Sequence, residues 1–151
     1  MNIKTIEAVQ AYKQLKDIKV NKLSEETMLA IWKDVRVLRK VAEEYEKDVR
    51  EASNSLQDDE FKVMQKRLFE AQHHSTEKSD DEMTEEEKKD VMEINSYFEE
   101  FNKKGETYFK SLADKEIELE IELVDSSEIL KALQGSDKTL ESAVLLDFLM
   151  K

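Results

Sequence analysis

The stretch Ile31–Leu56, IWKDVRVLRKVAEEYEKDVREASNSL, decides the fold. Ile31, Val35, Leu38, Ala42, Tyr45, Val49, Ala52 and Leu56 are spaced 4-3-4-3-4-3-4. Apolar residues at that spacing lie along one side of a helix and form a seam that a second helix must cover. At its rise per residue the stretch is about 40 Å long. Ser24 reads as the N-cap, with Glu25 and Glu26 complementing the dipole of the first turn.

A second seam follows. Thr84 and Glu87 have the spacing of a capping box. Val91, Ile94, Phe98, Phe101, Gly105, Tyr108 and Leu112 are then spaced 3-4-3-4-3-4. Lys103-Lys104-Gly105 also has the composition of a helix C-cap. The register survives the glycine, so the reading is one continuous helix. The missing side chain at Gly105 would let a large residue such as Trp32 approach. Between the seams, Phe61, Met64, Leu68 and Phe69 suggest a short helix, and residues 72–83 a polar loop.

One stretch has another period. In Lys115–Val124, KEIELEIELV, apolar residues at 117, 119, 121 and 123 alternate with glutamates at 116, 118, 120 and 122. That is a half-buried strand. Ile18–Val20 is its expected partner, since an antiparallel pairing of the two seams brings both pieces to one end. Residues 3–16 read as a first helix. Lys19 and Lys22 are expected near the glutamate row. The overhang of the longer strand predicts an edge open to another subunit. Ser126 or Ser127 caps a helix with Ile129, Leu130 and Leu133, closed by Gly135. Ser136 caps a last one with Leu140, Val144, Leu145, Phe148 and Leu149. The expectation is a mainly α (α+β) single domain. A long antiparallel helical hairpin (24–113) stands on a small base with a two-stranded antiparallel sheet (1–23 and 114–151) and short C-terminal helices.

Composition agrees. The chain has no proline and two glycines in 151 residues, which favours long elements. It has no cysteine, which excludes disulfides and thiolate chemistry. No apolar run approaches the roughly 18 residues of a membrane span. The net charge of −12 is uneven: residues 1–55 carry 11 Lys/Arg against 10 Asp/Glu, and residues 56–151 carry 13 against 26. Direct nucleic-acid binding through phosphate neutralisation is therefore not expected.

Candidate chemistry is sparse. The glutamate row has same-face neighbours roughly 7 Å apart, too far to share one metal, and reads as a wet face. His73 and His74 match no mechanism-bearing spacing. Asp80, Asp81, Glu82, Glu85, Glu86 and Glu87 lack a calcium-loop pattern and suit a helix start, or an acidic surface for a basic partner. A pocket lined by Trp32 and Tyr108 around Gly105, with Lys19, Lys22 and Arg36 as cationic neighbours, is the candidate ligand or partner contact. No nucleophile stands beside a base and no glycine-rich loop cradles phosphate, so no catalysis, cofactor or metal is expected.

The stretch Lys19–Ile31, KVNKLSEETMLAI, the long charged helix after it, and Glu116–Leu133, EIELEIELVDSSEILKAL, together resemble small uncharacterised helix-rich accessory proteins of tailed bacteriophages. That resemblance implies phage origin and a binding role. With the two seams and the overhanging strand, the expectation is a homo-oligomer with a protein partner from phage or host, at work in the host cytoplasm or the virion. The expected function is a non-catalytic, oligomerising assembly factor or an inhibitor of a host process such as defence. Two alternatives are a sequestering protein for a signalling nucleotide and an acidic mimic of nucleic acid.

Overall fold

Short polar side chains decide where the helices start. The structure, a computed structural model, describes residues 1–75, 83–134 and 139–151. Its elements in order are β1 (Asn2–Lys4), α1 (Thr5–Leu15), α2 (Glu25–Leu56), α3 (Asp59–Ser75), α4 (Glu85–Asp114), β2 (Glu116–Glu118), α5 (Ser126–Leu133) and α6 (Thr139–Leu145), then a 3-10 turn at Asp147–Leu149. The protein is mainly α, with a two-stranded antiparallel sheet.

Ser24 Oγ accepts the Thr27 N–H at 3.2 Å and Thr84 Oγ1 accepts the Glu87 N–H at 3.1 Å, as the sequence predicts. Asp58 does the same for α3, taking the Phe61 N–H at 2.8 Å. The cap of α5 is Asp125, not Ser126 or Ser127; its carboxylate accepts the Ser127 N–H at 2.8 Å. Each such cap contributes about 1 kcal/mol. α4 runs unbroken through Gly105. Gly135 and Ser136 lie outside the described residues.

The chain divides into two compact units, residues 1–48 with 112–151, and residues 49–111. The first is built around Leu38, Ile129, Leu146 and Leu149, all but inaccessible to solvent. Ala8 and Ala11 of α1 are also fully buried. Their small side chains let other chains approach closely. Ser142 of α6, itself buried, donates its hydroxyl to Gln14 Oε1 at 2.7 Å.

The strand partner differs from expectation. β2 pairs with β1, in the register Asn2↔Glu118, Ile3↔Ile117 and Lys4↔Glu116. The Lys115 carbonyl then accepts both the N–H and the hydroxyl of Thr5, at 2.9 and 2.8 Å, and α1 starts there. Ile18–Val20 forms no strand. The Ile18 N–H bonds Leu15 O and Val20 O accepts from Leu23 N–H, so these groups are spent on local turns.

β2 is also shorter than the alternation predicts, yet the chain beyond it stays paired. The Leu119 N–H bonds Met1 O at 2.9 Å, and the Val124 N–H bonds Leu149 O at 2.7 Å. Between them the Glu122 N–H is taken by the Asp34 carboxylate at 2.8 Å. Part of the open edge expected of an overhanging strand is therefore taken, at Leu119, Glu122 and Val124, by partners that no period reveals.

The second unit is helical. Phe61 of α3 lies against Phe98 and Phe101 of α4, with ring centroids 6.0 and 4.7 Å away. Arg67 bonds Asp90 and Glu93. Rising numbers on α3 meet falling numbers on α4, so the two helices are antiparallel. The first seam is thus shared out: Ile31, Leu38 and Ala42 are buried in the first unit, and α3 covers much of the second seam. Gln72–Ser75, expected in the loop, are the last turn of α3; residues 76–82 lie outside the described residues.

The neighbour of Gly105 is Leu56. A Cβ built on Gly105 meets Leu56 Cδ1 and Phe109 Cε2, both at 3.8 Å, which is ordinary contact. Space there is not scarce, so Gly105→Ala should raise stability by about 0.5–1 kcal/mol through helix propensity. Thermal denaturation followed by circular dichroism measures it; a lowered melting temperature would mean that α2 needs the gap.

Candidate functional site

The glutamate row is a wet face with one tether. Glu116, Glu118, Glu120 and Glu122 are all exposed. The cations beside the row are Lys4, across the sheet from Glu116, and Lys33, whose Nζ lies 2.6 Å from Glu122. Lys19 and Lys22 are exposed elsewhere, with Lys19 lining a groove beside Asp17 and Gln134. Both partners of the Lys33–Glu122 pair are half-exposed, so it contributes at most about 1 kcal/mol. Among the described residues no three His, Cys, Asp or Glu side chains converge as a metal site would need. His73 is exposed near the end of α3. The His74 side chain, Asp80, Asp81 and Glu82 lie outside the described residues. Glu85, Glu86 and Glu87 form the first turn of α4, where the helix dipole favours them.

Beneath the row lies a carboxylate that the sequence reading missed. Asp34 is 1 % exposed. Its Oδ1 accepts the Glu122 N–H, and its buried Oδ2 has no hydrogen-bond partner among the described residues. Burial pushes the carboxyl up to about 6, and the charge of Glu122 adds to the rise; the Glu122 N–H and Lys33 oppose it. A signal was present. Asp34 falls three residues after Ile31 and four before Leu38, which is core spacing with a charge on it.

Trp32, 54 % exposed, stacks under Arg36, with the guanidinium carbon 4.9 Å from the ring centre. Leu56, not Trp32, sits over Gly105. Tyr108 is 49 % exposed on α4.

The feature with most to offer lies in the second unit. On α3, Phe61, Gln65, Leu68 and Gln72 are spaced 4-3-4; on α4, Val91, Asn95, Phe98, Asn102, Gly105 and Phe109 are spaced 4-3-4-3-4. Such spacing makes each set a stripe along its helix. The Phe61–Phe98 contact puts the stripes on one side of the helix pair, and the Arg67–Asp90–Glu93 cluster marks the other. Neither stripe carries a charge, in a chain that is 40 % charged. Phe61, Leu68, Val91, Phe98 and Phe109 are only half-buried, and Gln65, Asn95 and Asn102 are exposed. Phe69, beside Leu68, is 71 % exposed. Near Gly105 the stripe opens into a groove of about 290 Å³, lined by Ser53, Leu56, Gln57, Asn102 and Phe109, with Glu106 on its lip.

No helix of the described residues is long and apolar enough to cross a membrane. No family model matches the chain, nor does any curated protein or solved structure.

The Asp34 environment makes a pH prediction. The fold favours the protonated carboxyl, so its contribution is full below the unfolded value near 3.9 and is lost as pH rises through about 6. Asp34→Asn keeps an oxygen for the Glu122 N–H and never ionises. Between about pH 5 and about pH 7.5 the wild type should lose roughly 1–1.5 kcal/mol more stability than the variant. Urea denaturation at both values reads the difference; parallel losses would mean that Asp34 is solvated.

Proposed function

We propose that this chain is a non-catalytic helical binding protein that acts by docking other proteins, itself included, through the uncharged face of α3 and α4. The carrying observation is that face: half-buried aromatic and aliphatic side chains, flanked by amides and free of charge, along the second unit. Uncharged surface rich in apolar side chains mostly marks protein contacts, whereas singly scattered apolar residues such as Val63 and Met92 need no such reading. The resemblance to accessory proteins of tailed phages points the same way. On it we read the chain as an assembly factor or an inhibitor of a host process such as defence, working in the host cytoplasm or on the virion.

The reading is tested by spoiling the face while keeping the fold. Phe69→Ser and Asn95→Asp change exposed positions and should leave the melting temperature within about 3 °C of wild type. Combined, they should reduce the binding of immobilised chain to soluble phage or host proteins, this chain included, by at least about tenfold. Binding unchanged by both would remove the face from the function.

A further inference from the structure

We infer that the uncharged face docks a second copy of this chain, with α3 of each copy against α4 of its partner, about a two-fold axis parallel to the helices. This rests on the protein-binding reading above and names its partner.

The argument begins with heights along the helices. Phe61 touches Phe98, and α3 and α4 are antiparallel, so equal steps forward on one and back on the other stay level. Gln65 is therefore about level with Asn95, and Leu68 with Val91. The face is layered: rings, then amides, then aliphatic groups. A two-fold axis along the helices preserves height and exchanges α3 for α4. Each layer then meets its own kind in the partner.

The amides make this a match to a copy. An amide carries donors and an acceptor on one side chain, so it pairs with another amide; a carboxylate or ammonium cannot pair with itself. A charged partner laid on these layers would lose water from its charge and find no counter-charge.

The border adds charge complementarity. Lys62 follows Phe61 on the outer border of α3, and Glu99 follows Phe98 on the outer border of α4. Both are exposed. They differ in height by only about 3 Å, within the reach of a lysine side chain, so the two-fold axis brings Lys62 of each copy toward the partner's Glu99. Opposite charges at an interface rim fix register and orientation more than affinity. The result is a four-helix packing that covers Phe61, Leu68, Val91 and Phe98, which one copy alone leaves half-exposed.

Sedimentation equilibrium of the full chain, from about 1 to about 100 µM, tests the inference. The wild type should dimerise. Gln65→Glu with Asn95→Asp alters two exposed positions at nearly constant size; the double variant should keep its helical circular dichroism and bind itself at least about 30-fold more weakly. Lys62→Glu and Glu99→Lys should each weaken the dimer a few-fold, and an equal mixture of the two chains should recover it, because each supplies the charge that the other lacks. A contact within one chain gives no such recovery. A wild type monomeric throughout, a double variant that dimerises like wild type, or a mixture no tighter than its components overturns the inference. A monomeric wild type that still binds another protein through this face overturns the second copy alone and leaves the protein-binding reading standing.

Discussion

An extended segment inside a helical protein must satisfy its backbone from elsewhere, and residues 115–124 impose that constraint on the whole first unit. Their alternating side chains bury Leu119 and half-bury Ile117 and Ile121. Burial removes water from the peptide groups beside them, and each unpaired group would cost about as much as a lost hydrogen bond. Four separate pieces answer. The start of α1 takes the Lys115 carbonyl, Met1 takes the Leu119 N–H, Asp34 takes the Glu122 N–H, and the last residues of the chain take both polar groups of Val124. The segment collects the chain's distant parts because no neighbouring strand is long enough to serve it.

Asp34 shows what that arrangement costs. A buried carboxylate is an expensive acceptor, since burial disfavours its charged form. An apolar residue there would leave the Glu122 N–H without a partner. A helix backbone has no spare acceptor at its middle, so a side chain must provide one. The short reach of Asp holds the extended segment close to α2. The neighbouring Lys33–Glu122 pair sits at the surface, where it orients the same segment for little energy.

The second unit faces the opposite shortage. Among its described residues only Ala52, Met64, Ile94 and Gly105 are fully buried. Two helices can cover one seam between them, but each has a further stripe beside it, and among the described residues only the end of α2 reaches that stripe, near Gly105. The rings at Phe61, Phe98 and Phe101 cluster across the seam, while their outer edges stay in reach of solvent. An ion-pair cluster around Arg67 marks the other side. A helix pair whose uncharged side continues its own core pattern is the physical basis for reading this protein as one that binds.

What the chain determined by itself were the properties that one segment carries alone. The spacing of 31–56 and 91–112 makes helices whatever they touch; Ser24 and Thr84 cap because a short hydroxyl reaches the N–H three residues on. The glutamates of 116–122 stay outward because alternation leaves them no other side. Tertiary structure alone decided the pairings. Asn2–Lys4 rather than Ile18–Val20 became the strand partner, while the Ile18 N–H and the Val20 carbonyl went to local turns. Leu56 rather than Trp32 came to rest over Gly105, α3 took its place along α4, and a carboxylate at a core position was kept for a single distant N–H. A repeat says that a surface must be covered. Which surface covers it depends on what remains free once every stronger local bond has formed, and no single stretch of sequence contains that.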